Sequence, residues 1–153
     1  MLPNKAMTKA GLTLKSGSYN VYSTSAFALS LHGKMYTSGA VSDGTTPTTD
    51  GNTGAAITLS ANFGMVVVWA SNSSGTHTCY KGTTTALDSA GNFITYPQFP
   101  ILPDTVAPFA YTVHKAGSTT SGTWTFGTSN WNATGMTNAV VDVTELPARP
   151  QVS

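Results

Sequence analysis

No window of about 11 residues or more in this chain keeps its apolar side chains at the 3.6-residue period that lets a helix bury one face. Apolar residues instead recur at every second position in short runs, which Gly, Ser, Asn and Pro interrupt. A strand built this way buries one side and exposes the other, so an all-β fold is expected. Thr, Ser and Gly are spread evenly along the chain and weaken any helix further.

The runs can be placed one by one. Phe27, Leu29 and Leu31 alternate with Ala28 and Ser30, and His32-Gly33 then precedes Lys34-Met-Tyr-Thr37, which predicts two strands joined by a tight turn. Residues 11–15 and 18–23 are short β-prone pieces around Ser16-Gly17. Residues 38–56 hold mostly Gly, Ser and Thr, with Val41 as the one large aliphatic side chain before Ile57, and predict a long loop. The continuous apolar run at 65–70 predicts a strand covered on both faces. Turn chemistry at 71–75 then returns the chain through 76–81, with His77 and Cys79 on one face and Thr78 and Tyr80 on the other. Pro97, Pro100, Pro103 and Pro108 predict an extended surface crossing, because proline cannot donate to a sheet ladder. Strands are also expected at 109–113, 123–126 and 139–144, the last two flanking a loop that holds Trp131. About eight or nine short strands with long Gly/Thr-rich loops make a single-domain β-sandwich or jelly-roll-like barrel over residues 11–144, with an N-terminal arm at 1–10 and a C-terminal arm at 145–153.

Composition removes several functions. Only 8% of the 153 residues are charged, while 26 Thr, 16 Ser and 15 Gly occupy more than a third of the positions. A net charge of +1 supplies no field to neutralise a phosphate backbone, so nucleic acid is not an expected partner. The longest apolar run is far short of the roughly 20 residues of a spanning helix, and Met-Leu-Pro-Asn-Lys at the start has no signal-peptide core, so neither membrane insertion nor export is expected. Cys79 is the single cysteine, which excludes an internal disulfide and suits a small core residue.

Catalytic groups are scarce, and the chain is expected not to be an enzyme. His32, His77 and His114 lack the spacing that puts two imidazoles on one metal, and no metal or cofactor is expected. Of six carboxylates, Asp43, Asp50, Asp88 and Asp104 sit in turn-like sequence. Asp142, among Val140, Val141 and Val143, has unusual neighbours and reads as the outward position of an edge strand. A glycoside hydrolase would need two carboxylates facing one cleft. Asp50-Gly-Asn-Thr-Gly54 resembles a calcium loop only locally, since no Glu closes it. Trp69 and Trp124 read as core; Trp131, between two Asn in a Gly-rich loop, is the candidate loop contact for a sugar or a partner protein, set against a structural reading in which its buried indole anchors the loop.

Four strings carry a resemblance: Asp88-Ser-Ala-Gly-Asn-Phe-Ile94, Pro97-Gln-Phe-Pro-Ile-Leu-Pro103, Ala107-Pro-Phe-Ala-Tyr-Thr-Val113, and Ser121-Gly-Thr-Trp-Thr-Phe-Gly-Thr-Ser-Asn-Trp-Asn-Ala-Thr-Gly135. Over about residues 15–150 the chain resembles tailed-bacteriophage virion proteins, and most of all head decoration (cement) proteins, though in texture rather than by a catalytic motif. The resemblance implies a protein made in the host cytoplasm that coats the outer surface of the phage head. Its partners would be the major capsid protein and copies of itself, as a dimer or trimer. Leu2, Pro3 and Met7 in the first arm, and Leu146, Arg149 and Val152 in the second, are the candidate capsid or oligomer contacts. The alternative is a tail, fibre or receptor-binding module whose loops contact a host glycan through Trp131. With so few charges to screen, attachment to a shell should change by less than about tenfold between roughly 0.05 and 0.5 M NaCl. A co-sedimentation series in salt checks this, and a steep loss of binding would contradict it.

Overall fold

The structure, a computed structural model, describes residues 3–15 and 21–152. Among these it contains strands and no helix. The strands are β1 (Lys5–Ala6), β2 (Thr13–Leu14), β3 (Val21–Thr24), β4 (Phe27–Leu31), β5 (Lys34–Ser38), β6 (Val41–Thr45), β7 (Thr58–Ser60), β8 (Phe63–Ser71), β9 (His77–Ala86), β10 (Ala107–Ala116), β11 (Thr123–Thr125) and β12 (Met136–Asp142). They form four sheets, and among the described residues none closes into a barrel. The main sheet has the order β12-β10-β8-β9, and the smaller ones are β1-β4-β5, β2-β3-β6 and β11-β7.

The run at 65–70 explains this arrangement. Strand β8 lies inside the main sheet, antiparallel to β9 and β10. Every residue from 64 to 71 is buried. Because side chains alternate, Met65, Val67 and Trp69 enter one apolar cluster, while Val66, Val68 and Ala70 enter another. The first cluster gathers side chains of the small sheets, among them Tyr22, Phe27, Leu29, Leu59 and Trp124. The second is covered by Phe99 and Leu102 of the proline segment and by Leu146 and Val152 near the C-terminus.

Several connections differ from expectation because backbone pairing, rather than side-chain pattern, creates them. Residues 38–56 are not a continuous loop: Val-Ser-Asp-Gly-Thr forms β6, and Thr49 pairs with Ala56 and Asp50 with Cys79 as single bridges. Strand β6 buries little side-chain surface, so its sequence carries no apolar alternation. Pro108, expected in the crossing, lies inside β10 beside a register shift, where the ladder does not need its missing N–H. The Ser16-Gly17 turn falls outside the described residues. The described residues of both expected arms are laid against the body of the protein. Lys5 and Ala6 pair with Ser30 and Leu29, Ala6 and Ala10 are fully buried, and the Gln151 amide donates to the Tyr111 hydroxyl at 2.9 Å.

The proline segment is held where β9 bulges. Between Met65 and Val67 the register slips by one residue, so that Gly82 and Thr83 oppose Val66. Thr83 N–H then donates to the Gln98 carbonyl at 3.2 Å, and Gln98 N–H donates to the Thr83 hydroxyl at 2.8 Å. A Cβ at Gly82 would collide with the Gln98 carbonyl oxygen and lie 3.1 Å from that of Val66. Gly82→Val should therefore lower the unfolding free energy by about 2 kcal/mol or more. Gly39→Ala meets nothing within 4 Å and should stay within about 0.5 kcal/mol of the parent. Urea denaturation of the two variants checks the contrast.

Candidate functional site

Two buried histidines organise the polar interior. His77 opens β9 directly after a turn in which the Asn72 side-chain oxygen accepts the N–H groups of Ser74 and Thr76, each at 2.9 Å. The imidazole lies between Tyr22 of β3, 2.8 Å from Nδ1, and Ser38 of β5, 2.9 Å from Nε2, and packs against the rings of Phe27 and Phe109. It joins three sheets at one point.

Serine, imidazole and a third hydrogen-bonding group in series have the connectivity of a nucleophilic triad. Solvent exclusion rules against that chemistry. Burial, with a smaller contribution from Cys79, pushes the Tyr22 phenol up to about 12, so it stays a neutral hydroxyl able to donate to Nδ1 or to accept from it. Ser38 is wholly buried, which keeps any substrate from its oxygen. The arrangement is a hydrogen-bonded pin.

His114 of β10 stands in a longer chain. Asn138 offers its side-chain oxygen 2.6 Å from Nδ1, so Nδ1 donates and Nε2 accepts. The Thr112 hydroxyl, 2.7 Å from Nε2, donates to it and accepts from the Trp69 indole N–H at 3.1 Å. The Asn138 amide nitrogen donates in turn to the Trp131 carbonyl. Rings of Trp124, Phe126 and Trp131 surround the imidazole. Each partner uses the neutral tautomer; a proton on Nε2 would leave the Thr112 hydroxyl proton without its acceptor.

The candidate contacts fall in different places. Trp131 is only 3% exposed, with its indole N–H donating to the Val21 carbonyl at 3.1 Å. It staples the loop over the first apolar cluster and cannot serve as an open stacking platform. Pro3 and Met7 are exposed, Leu146 is half-buried, and Val152 is buried against the second cluster. The Arg149 guanidinium sits 4.7 Å from the centre of the Tyr96 ring. Leu2 lies outside the described residues.

Other residues singled out in the sequence take structural places. Trp69, Trp124 and Cys79 are core. Asp142, on the edge strand β12, accepts the Leu12 N–H at 2.9 Å and so fastens β2 near the main sheet. The Asp50 carboxylate accepts from Asn52 N–H and the Thr53 hydroxyl, which is turn chemistry, and from Lys81 N–H of β9, which ties the turn to the main sheet. Among the described residues no three His, Cys, Asp or Glu side chains converge on a point that would hold a metal ion. Sequence reasoning missed both histidine chains, because directly bonded partners lie up to 55 positions apart and no local spacing announces them.

Burial lowers both His77 and His114 to about 4 from the ordinary 6.5. Between those values the unfolded chain binds more protons than the folded one, so stability is complete above about pH 6.5 and falls as pH drops toward 4. For the fully buried His114 the loss is on the order of 3 kcal/mol. In carbon-edited proton spectra both ring signals should hold constant from pH 8 to about 5, while the urea midpoint declines below pH 6.5. A His114 ring that titrates near 6.5 would contradict the assignment.

Compared with known protein families, curated proteins and solved structures, the chain matches none of them.

Proposed function

We propose that this chain is a structural protein of a tailed bacteriophage that decorates and stabilises the assembled head by binding the major capsid protein. Its all-β body would be a β-sandwich of jelly-roll type, built around the doubly covered main sheet. Copies would associate as dimers or trimers on the outer surface of the virion.

One observation carries the reading. Within residues 94–101 three large apolar side chains face solvent, Ile94 at 67%, Tyr96 at 56% and Ile101 at 88% exposure. The same segment is immobilised by buried Pro97, by Phe99 in the second cluster and by the Gln98–Thr83 bonds. Apolar groups held outward on a rigid, weakly charged surface favour contact with another protein through shape and burial. They contribute little to catalysis. The fibre or receptor-binding alternative, as first framed, relied on Trp131 for its glycan, and the buried indole removes that group.

A protein that binds only the assembled shell stabilises it by mass action. Heads lacking this chain should therefore open at a lower temperature than decorated heads, and adding the purified protein back should restore the difference. Imaging should find it at regular positions on the head exterior. Equal thermal opening with and without the protein, or its location only on the tail, would overturn the proposal.

A further inference from the structure

An open groove of about 280 Å³ lies at the end of the β4–β5 hairpin, lined by His32, Lys34, Tyr36, Ser73, Asp104 and Thr105. Its walls come from three distant parts of the chain: the hairpin turn, the turn after β8 and the end of the proline segment. Loops alone would leave such a groove loose, but here two walls are tied together. The Asn4 side-chain oxygen accepts His32 N–H at 2.9 Å, and its amide nitrogen donates to the Asp104 carbonyl at 2.6 Å. His32 Nε2 reaches the same carbonyl at 2.7 Å. The turn itself is fixed by left-handed backbone at His32 (φ 52°) and Gly33 (φ 80°).

The polar groups are set but not consumed by these ties. Asp104 uses its backbone carbonyl for the clamp, and its carboxylate stays 85% exposed, 3.9 Å from His32 Nε2. Lys34 is exposed on the facing strand. Ser73 and Thr105 add hydroxyls, and half-buried Tyr36 supplies an aromatic wall. A single carboxylate is too few for a cation, and it repels phosphate. An apolar ligand would leave both charges unpaired. Paired acceptors and donors beside one aromatic ring suit a molecule with polar edges and an apolar C–H face.

We propose that this groove binds the terminal hexose or hexosamine of a glycan. The Asp104 carboxylate accepts hydrogen bonds from adjacent hydroxyls, Lys34 donates to a ring or hydroxyl oxygen, and Tyr36 packs against the C–H face. On a shell carrying many copies, weak single sites would combine into avid attachment. The groove belongs to the free chain, so its saccharide binding and its attachment to a head succeed or fail separately.

The test titrates the intact, nitrogen-15-labelled chain with methyl α-glucoside, methyl β-galactoside and N-acetylglucosamine. At least one sugar should give saturable shifts confined to residues 31–36, 73 and 104–105. Asp104→Asn preserves the backbone carbonyl that Asn4 and His32 hold, so the groove should keep its shape while affinity falls at least about tenfold, as it should for Tyr36→Ala. Lys9→Ala, an exposed lysine outside the groove, should bind as the parent does. No saturable shifts with any of the three sugars, shifts centred elsewhere, or unchanged affinity in Asp104→Asn would each overturn the proposal.

Discussion

Burial of β8 on both faces is the constraint that the remaining structure answers. A strand that is apolar at 65, 66, 67, 68, 69 and 70 cannot leave either side to water, so the main sheet needs a cover above and below. The small sheets supply one cover and the proline segment with the C-terminal residues supplies the other. These covers differ in kind. Sheets pair their own backbone groups, whereas a proline-rich strip presents few donors and can lie on a sheet edge with only occasional bonds, such as those between Gln98 and Thr83.

Three small sheets stacked on a large one create a second problem, because their edges bring polar backbone and side chains into the interior. His77 and His114 address it. Each imidazole offers a donor and an acceptor, so one side chain satisfies partners from two elements, and at His114 the partners select a single neutral tautomer. His77 thereby joins β3, β5 and β9, and the His114 chain joins the loop of Trp131 to the main sheet. The same neutrality that suits a buried site makes both residues sensitive to acid.

The surface follows another logic. With hydroxyls and bare backbone in place of charges, it has little long-range attraction to offer, and recognition must come from fitted contacts. Two such features are built on segments that the core holds rigid: the apolar side chains of residues 94–101, and the polar groove that Asn4 clamps. They are chemically unlike each other, which is why one suits a protein partner and the other a saccharide.

Local pattern in the amino-acid sequence determined a good part of this protein. Period-two alternation at 27–31 and 109–113, the apolar run at 65–70 and the His32-Gly33 turn specified strands and hairpins, because side-chain direction in a strand depends only on neighbours along the chain. Strands β1 and β6 escaped notice, as they exist through backbone bonds to partners elsewhere and bury few side chains of their own. The Gly-rich loop of Trp131 left both an anchoring and a contact role open, and only the fold supplies the partner of its indole, the Val21 carbonyl 110 positions away. The histidine pins and the Asn4 clamp were equally invisible. Hydrogen bonds of that span depend on how distant segments are stacked, and the tertiary structure alone decides the stacking.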